Sequence, residues 1–178
     1  MHKNLADDTH ATGTGTAGTG VTATEYGDGK NHVTKLVLAD VAFTIGDDAA
    51  LGDSALIYTL PAGGIIIHGA SCSVGLTLTT GTPTTDTPEI GLGTTASSGV
   101  NATLGAVAAT AEDIAGPSVM DDIAGTAEAF DSGTAGSNVI TVAGAHTVYL
   151  NIADTWADVD NTAATAAGTI WLNWSLLG

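Results

Sequence analysis

The stretch TIWLNWSLL (169–177) decides the fold. Ile170, Leu172, Trp174 and Leu176 fall on one side of an extended chain, with Thr169, Trp171, Asn173 and Ser175 on the other. That period of 2 is the signature of a strand with one apolar face against a core. The pattern recurs upstream. In HTVYLNIA (146–153), Val148, Leu150 and Ile152 form the apolar side, and Thr147, Tyr149 and Asn151 point outward. In ASCSVGLTLT (70–79), Ala70, Cys72, Val74, Leu76 and Leu78 share a face, so Cys72 reads as a small buried hydrophobe.

Further strands are expected at HVTKLVL (32–38), VAFTI (41–45), ALIYTL (55–60), GIIIHG (64–69), EIGLGT (89–94) and NVITV (138–142). Gly, Asp and Pro separate these runs, and Thr supplies much of their polar surface, which suits a pleated sheet. About eight or nine short strands predict an all-β, jelly-roll-like β-sandwich. Little helix is expected: a turn or two over 106–116 and a single turn over 120–125. Segments 79–88 and 127–138 read as exposed loops. No fixed-period repeat is present, which speaks against a solenoid or propeller.

The first residues differ in texture. THATGTGTAGTGVTAT (9–24) alternates small residues with almost nothing to bury, so it cannot offset its ordering entropy alone. Residues 1–30 are expected to be a flexible arm and residues 31–178 the sandwich domain.

Charge narrows the function classes. The 178 residues carry 19 Asp and Glu against three Lys and no Arg, a formal net charge of −16. Such a chain repels a phosphate backbone and has no guanidinium for a bidentate contact, so no nucleic-acid partner is expected. No apolar run approaches the length of a membrane helix and no secretory h-region opens the sequence, so no membrane partner is expected either.

Chemistry is harder to find. IGLGTTA (90–96) spells G-x-G-x-x-A, a dinucleotide fingerprint, but that motif needs a strand before it and a helix after it. SSGVNATLG (97–105) is a poor helix, so the string reads as scaffold. Ile90 and Leu92 should then be buried, with Gly91 and Gly93 turned to a closely approaching segment. No serine sits in G-x-S-x-G, and none of His2, His10, His32, His68 and His146 falls in a zinc-binding spacing. His68 reads as a strand-end or core-edge residue. Carboxylates come in doublets at Asp7-Asp8, Asp47-Asp48, Glu112-Asp113 and Asp121-Asp122. DVDN (158–161) resembles the start of a calcium loop but lacks the Gly and distal Glu. No catalytic, cofactor or metal residue is assigned, and calcium in an acidic loop is the one ion weighed.

The suggestive residues are surface ones. Trp171 and Tyr149 lie on the outward sides of their strands, and aromatics are enriched at interfaces. With Leu5 and Val21 of the arm they are the candidate subunit or capsid contacts. Three stretches, YTLPAGGIIIHGASCSVGL (58–76), EIGLGTTASSGVNATLG (89–105) and TAEDIAG (110–116), resemble small β-rich virion proteins of tailed bacteriophages. Among these are capsid decoration (cement) proteins with jelly-roll-like folds. The resemblance covers about a third of the chain, in glycines and apolar residues. It implies a non-enzymatic protein on the outer capsid surface of a virion, bound to the major capsid protein, self-associating as a homotrimer and clamping neighbouring capsid subunits. Alternatives are another virion component, such as a head fibre, tail-associated or shell protein, and a secreted carbohydrate-binding or adhesive sandwich.

Overall fold

The computed structural model describes residues 15–27, 29–46, 50–78, 86–107, 110–120, 124–131, 138–142, 146–156 and 162–177. They form β1 (Thr16–Ala17), β2 (Val21–Gly27), β3 (Asn31–Ile45), β4 (Gly52–Leu60), β5 (Gly63–Leu78), β6 (Glu89–Gly93), α1 (Leu104–Val107), β7 (Ala115–Val119), β8 (Ala124–Asp131), β9 (Asn138–Val142), β10 (His146–Ala153) and β11 (Thr162–Leu176). One sheet, here sheet A, has the order β1-β4-β10-β6-β7. The other, sheet B, has the order β2-β3-β11-β5-β8, with β9 also on β5.

The pairing is that of a jelly roll. β8 runs along residues 71–77 of β5 and β9 along residues 63–67, so the two act as one interrupted strand. Counting from β3 on that basis gives eight strands. The first pairs with the last (β3 with β11), the second with the seventh (β4 with β10), the third with the sixth, and the fourth with the fifth (β6 with β7), all antiparallel. A long antiparallel hairpin rolled into two facing sheets produces this order. The expected all-β sandwich is therefore the fold.

Two expected pairs of strands are each one long strand carrying a bulge. In β3 the inward set runs Leu36, Leu38 and then Val41, Phe43 and Ile45, all buried. The change of parity falls at Ala39 and Asp40, which stand opposite Ala167 alone, and Asp40 has a φ of 54°. In β5 the inward set changes from Ile65 and Ile67 to Ala70, Cys72, Val74 and Leu76. The break lies at His68 and Gly69, where the register against β11 slips between Asn173 and Trp174. An extra residue in one strand flips the alternation, so a sequence read by period 2 breaks there.

The core lies between the sheets. β11 contributes Ala164, Ala166, Ile170, Leu172 and Trp174, and β10 contributes Val148, Leu150 and Ile152, all essentially inaccessible. Burial of that kind is the main stabilising term, at roughly 1.5–3 kcal/mol per large apolar side chain.

The expected arm gives way from residue 16 onward. β1 pairs with β4, and β2 pairs with β3 over its whole length, so this segment straps across the same side of both sheets. Its poverty in large apolar side chains does not matter, because a neighbouring strand supplies ladder bonds and an apolar face. The helical expectations also need correction. Among the described residues only Leu104–Val107 is helical, residues 115–119 are β7, and residues 124–131, expected as a turn and an exposed loop, are β8. Residues 79–85, with most of the expected loop over 79–88, and residues 121–123 and 132–137 lie outside the described ones.

Candidate functional site

The outer face of sheet B carries Thr, Ser, Asn and Val side chains with Lys35, His68 and the aromatic Trp171 among them. Trp171 of β11 lies opposite Lys35 of β3 and Ser71 of β5 in the ladder. It is 38% exposed. The Tyr26 ring of β2 stacks against it at 6.0 Å with 30° between planes, and Lys35 Nζ sits 5.4 Å from the ring centroid. Cross-strand contacts of this type contribute a few tenths to 1 kcal/mol each and hold the indole upright. Val37, on the same side of β3, is also exposed.

The same face brings His68 and Ser175 together, with Nε2 2.7 Å from Oγ, and the Ser175 hydroxyl donates to Asn31 Oδ1 at 3.0 Å. His68 is thus a mid-strand, exposed residue at the β5 bulge, not a strand-end or core-edge one. A nucleophilic serine needs a third group to orient the histidine and donors for an oxyanion. Among the described residues His68 has no carboxylate partner, so the pair reads as a surface hydrogen-bond chain.

Beneath this face lies a buried polar network that ties the strap to the sandwich. Glu25 of β2 points inward. Its Oε1 lies 2.7 Å from His32 Nδ1, and its Oε2 accepts from the Tyr58 hydroxyl at 2.8 Å. The Gly15 amide donates to that same hydroxyl at 2.9 Å. The His32 ring stacks flat on Trp174 at 3.9 Å and 8°, and Trp174 Nε1 donates to Thr34 Oγ1. The His32 and Glu25 side chains are 0% and 7% exposed. Burial first, and then the Glu25 hydrogen bond and charge, push the Tyr58 hydroxyl well above the ordinary tyrosine range. His32 Nε2 is enclosed without a partner. The network acts as a rivet between β4 of sheet A and β2 and β3 of sheet B.

The glycine string resolves as scaffold. Ile90 and Leu92 are fully buried in β6. A Cβ on Gly91 would meet Leu104 Cδ1 at 3.0 Å and Ala115 O at 3.2 Å, and one on Gly93 would overlap the backbone of Thr110 and Ala111. The segment after β6 therefore lies directly on the outside of sheet A. Asn151, expected outward, is on that side of β10 but wholly covered. Its Oδ1 accepts from Ser97 N, and its Nδ2 donates to Thr95 O and Ala111 O. One side chain thus pins both limbs of the overlying segment.

The acidic groups nearby are spread through structural bonds. Glu89 accepts from Leu104 N, and Asp113 accepts from both the amide and the hydroxyl of Thr94. Burial, then the charge of Glu89, raises the Glu112 carboxyl above its ordinary value, and burial raises Asp113. Among the described residues no three His, Cys, Asp or Glu side chains converge as metal ligands. Asp7-Asp8, Asp47-Asp48, Asp121-Asp122 and the 158–161 string lie outside them.

The candidate contact residues do not converge. Trp171 is on the outer face of sheet B, while Tyr149 is half-buried on the outer face of sheet A beside exposed Leu56. Val21 turns inward and packs against the core, because β2 is a strand of the sheet. Leu5 lies outside the described residues. The Glu25–His32–Tyr58 network escaped the sequence reading, since its three residues belong to three strands and no local spacing joins them. No protein-family model, curated protein or solved structure matches the chain.

Proposed function

We propose that this chain is a non-enzymatic virion structural protein that decorates and stabilises the outer surface of a tailed-phage capsid, bound across subunits of the major capsid protein. The observation that carries the reading is the outer face of sheet B. A partly exposed Trp braced by Tyr26 and Lys35 stands there among Thr, Ser and Asn side chains, on a chain of net charge −16. A sheet face with an exposed, braced aromatic suits contact with another protein surface. The resemblance of residues 58–76, 89–105 and 110–116 to small β-rich virion proteins of tailed bacteriophages, decoration proteins among them, supports the major capsid protein as the partner.

A decoration protein that spans two capsid subunits binds only the assembled shell, so its binding free energy stabilises the shell by linkage. The test is quantitative recovery with purified particles. The expected result is a copy number near one per capsid subunit or per three-fold site, with lower shell stability when the protein is absent. A few copies per particle would assign it to a fibre or tail instead. Absence from particles would overturn the reading. Substituting Trp171→Ala should weaken shell binding while leaving the fold intact.

A further inference from the structure

We propose that the free edge of β2 is a self-complementary contact through which two copies of this chain pair, antiparallel about Thr24, fusing their sheets B into one. The inference goes beyond the shell role and does not rest on it.

Among the described residues β2 is the end strand of sheet B, with β3 on one of its sides only. The Gly20 carbonyl accepts from the Ala39 amide at 2.8 Å, so these two form a hydrogen-bonded pair. Antiparallel alternation then makes Thr22–Val37, Thr24–Lys35 and Tyr26–Val33 the bonded pairs. Ala23 and Glu25 therefore aim their N–H and C=O groups away from β3, into the open edge. These positions are symmetric about Thr24. A second copy laid antiparallel sets Ala23 opposite Glu25 of the second copy, and the reverse, exchanging ladder bonds on both sides of a central Thr24–Thr24 pair. One edge that is its own complement gives a closed twofold contact.

Exposed edges are ordinarily blunted by charge, Pro, bulges or brevity. The other edges here are. β7 carries Pro117, which has no N–H, and β1 is two residues long. The β8 and β9 edge is split along the chain. β2 has seven residues, no Pro, no register shift against β3, and Glu25 as its one charge. Glu25 is already turned inward and bonded to His32 and Tyr58, so a docking strand strips little further water from it. On the outer face each Thr22 would meet Tyr26 of the second copy, a favourable cross-strand pairing.

Sedimentation of the full purified chain over a range of concentrations and salt tests the inference. A monomer–dimer equilibrium is expected, shifting to dimer with added salt as the repulsion between two acidic copies is screened. Ala23→Pro removes an outward N–H without touching the β3 ladder, so it should abolish pairing and leave the melting temperature near that of the parent. Thr24→Cys provides a readout that does not depend on that variant folding. Opposed non-bonded residues lie about 4.5 Å apart at Cα, within disulfide reach. Oxidation should give a covalent dimer, whereas Thr22→Cys, opposite Tyr26, should not; the native Cys72 is buried and does not compete. A chain monomeric at every concentration, a dimer that persists in folded Ala23→Pro, or equal cross-linking by both cysteine variants would each overturn the inference. So would pairing seen only after residues 1–14 are deleted, since those residues would then be the strand that fills the edge.

Discussion

At Gly93 the room for a side chain is nil, because the backbone of Thr110 and Ala111 occupies the place of a Cβ. Gly93→Ala should therefore force the overlying segment off sheet A and cost about 1–3 kcal/mol, read as a lowered urea midpoint. Gly91→Ala meets a movable Leu104 methyl and should cost less; equal losses at the two positions would contradict the close approach. Asn151→Ala leaves the Ser97 amide and two carbonyls without their partner under a covered surface, an expected loss of about 2–3 kcal/mol. Titration makes separate predictions. The raised carboxyl of Glu112 binds its proton more tightly in the folded state, so its ionisation lowers stability as pH rises above the ordinary carboxylate range. Glu112→Gln should thus be more stable than the parent at neutral pH, and the gain should vanish in acid. Tyr58 is raised as well, so the folded state loses stability above about pH 10, where the unfolded tyrosine ionises. Tyr58→Phe should flatten that alkaline slope.

Among the elements, β1 and β2 depend most on a few side chains. Tyr58→Phe removes the hydroxyl that Glu25 and Gly15 share, so amide exchange across residues 15–27 should accelerate more than in β5 or β11. Uniform acceleration through all strands would show that the network supports the whole sandwich instead. Deleting residues 1–14 leaves every described strand in place, whereas deleting 1–27 uncovers β3, His32 and Tyr58 and should lower the melting temperature. These elements also show what a sequence can disclose. β10 was legible end to end in its apolar face, and β11 in its second half from Thr169, because period 2 in large side chains persists there. TAATAAG (162–168) offers only small ones. β3 and β5 were legible only in halves, because the bulges at Asp40 and His68 reverse the parity. β2 was not legible at all. VTATEYG holds small residues whose place in the sheet is conferred by the Leu36 and Leu38 face of β3. For the same reason the Trp171 face could be named in part, since its alternation is local, while Tyr26 and Lys35 join it only through strand pairing.

At the scale of the whole molecule, the eight-strand roll fixes which parts of the chain must find one another. β11 lies in the middle of sheet B, between β3 and β5, and holds Ile170, Leu172 and Trp174 at the centre of the core. A truncation after β10 would remove an interior strand and leave two apolar faces bare, so no soluble, cooperatively melting product is expected from it. The same placement governs the order of events in the cell. A ribosome releases β3 long before β11 exists, and the first strand of the roll then waits for the last with its apolar side uncovered. Pairings so distant along the chain are slow to close, and unpaired strands in the interval are prone to aggregate. The sandwich can be completed only once β11 is free of the exit tunnel. Yield from expression should therefore depend on slow synthesis, low temperature or chaperone supply more than on the stability of the finished protein.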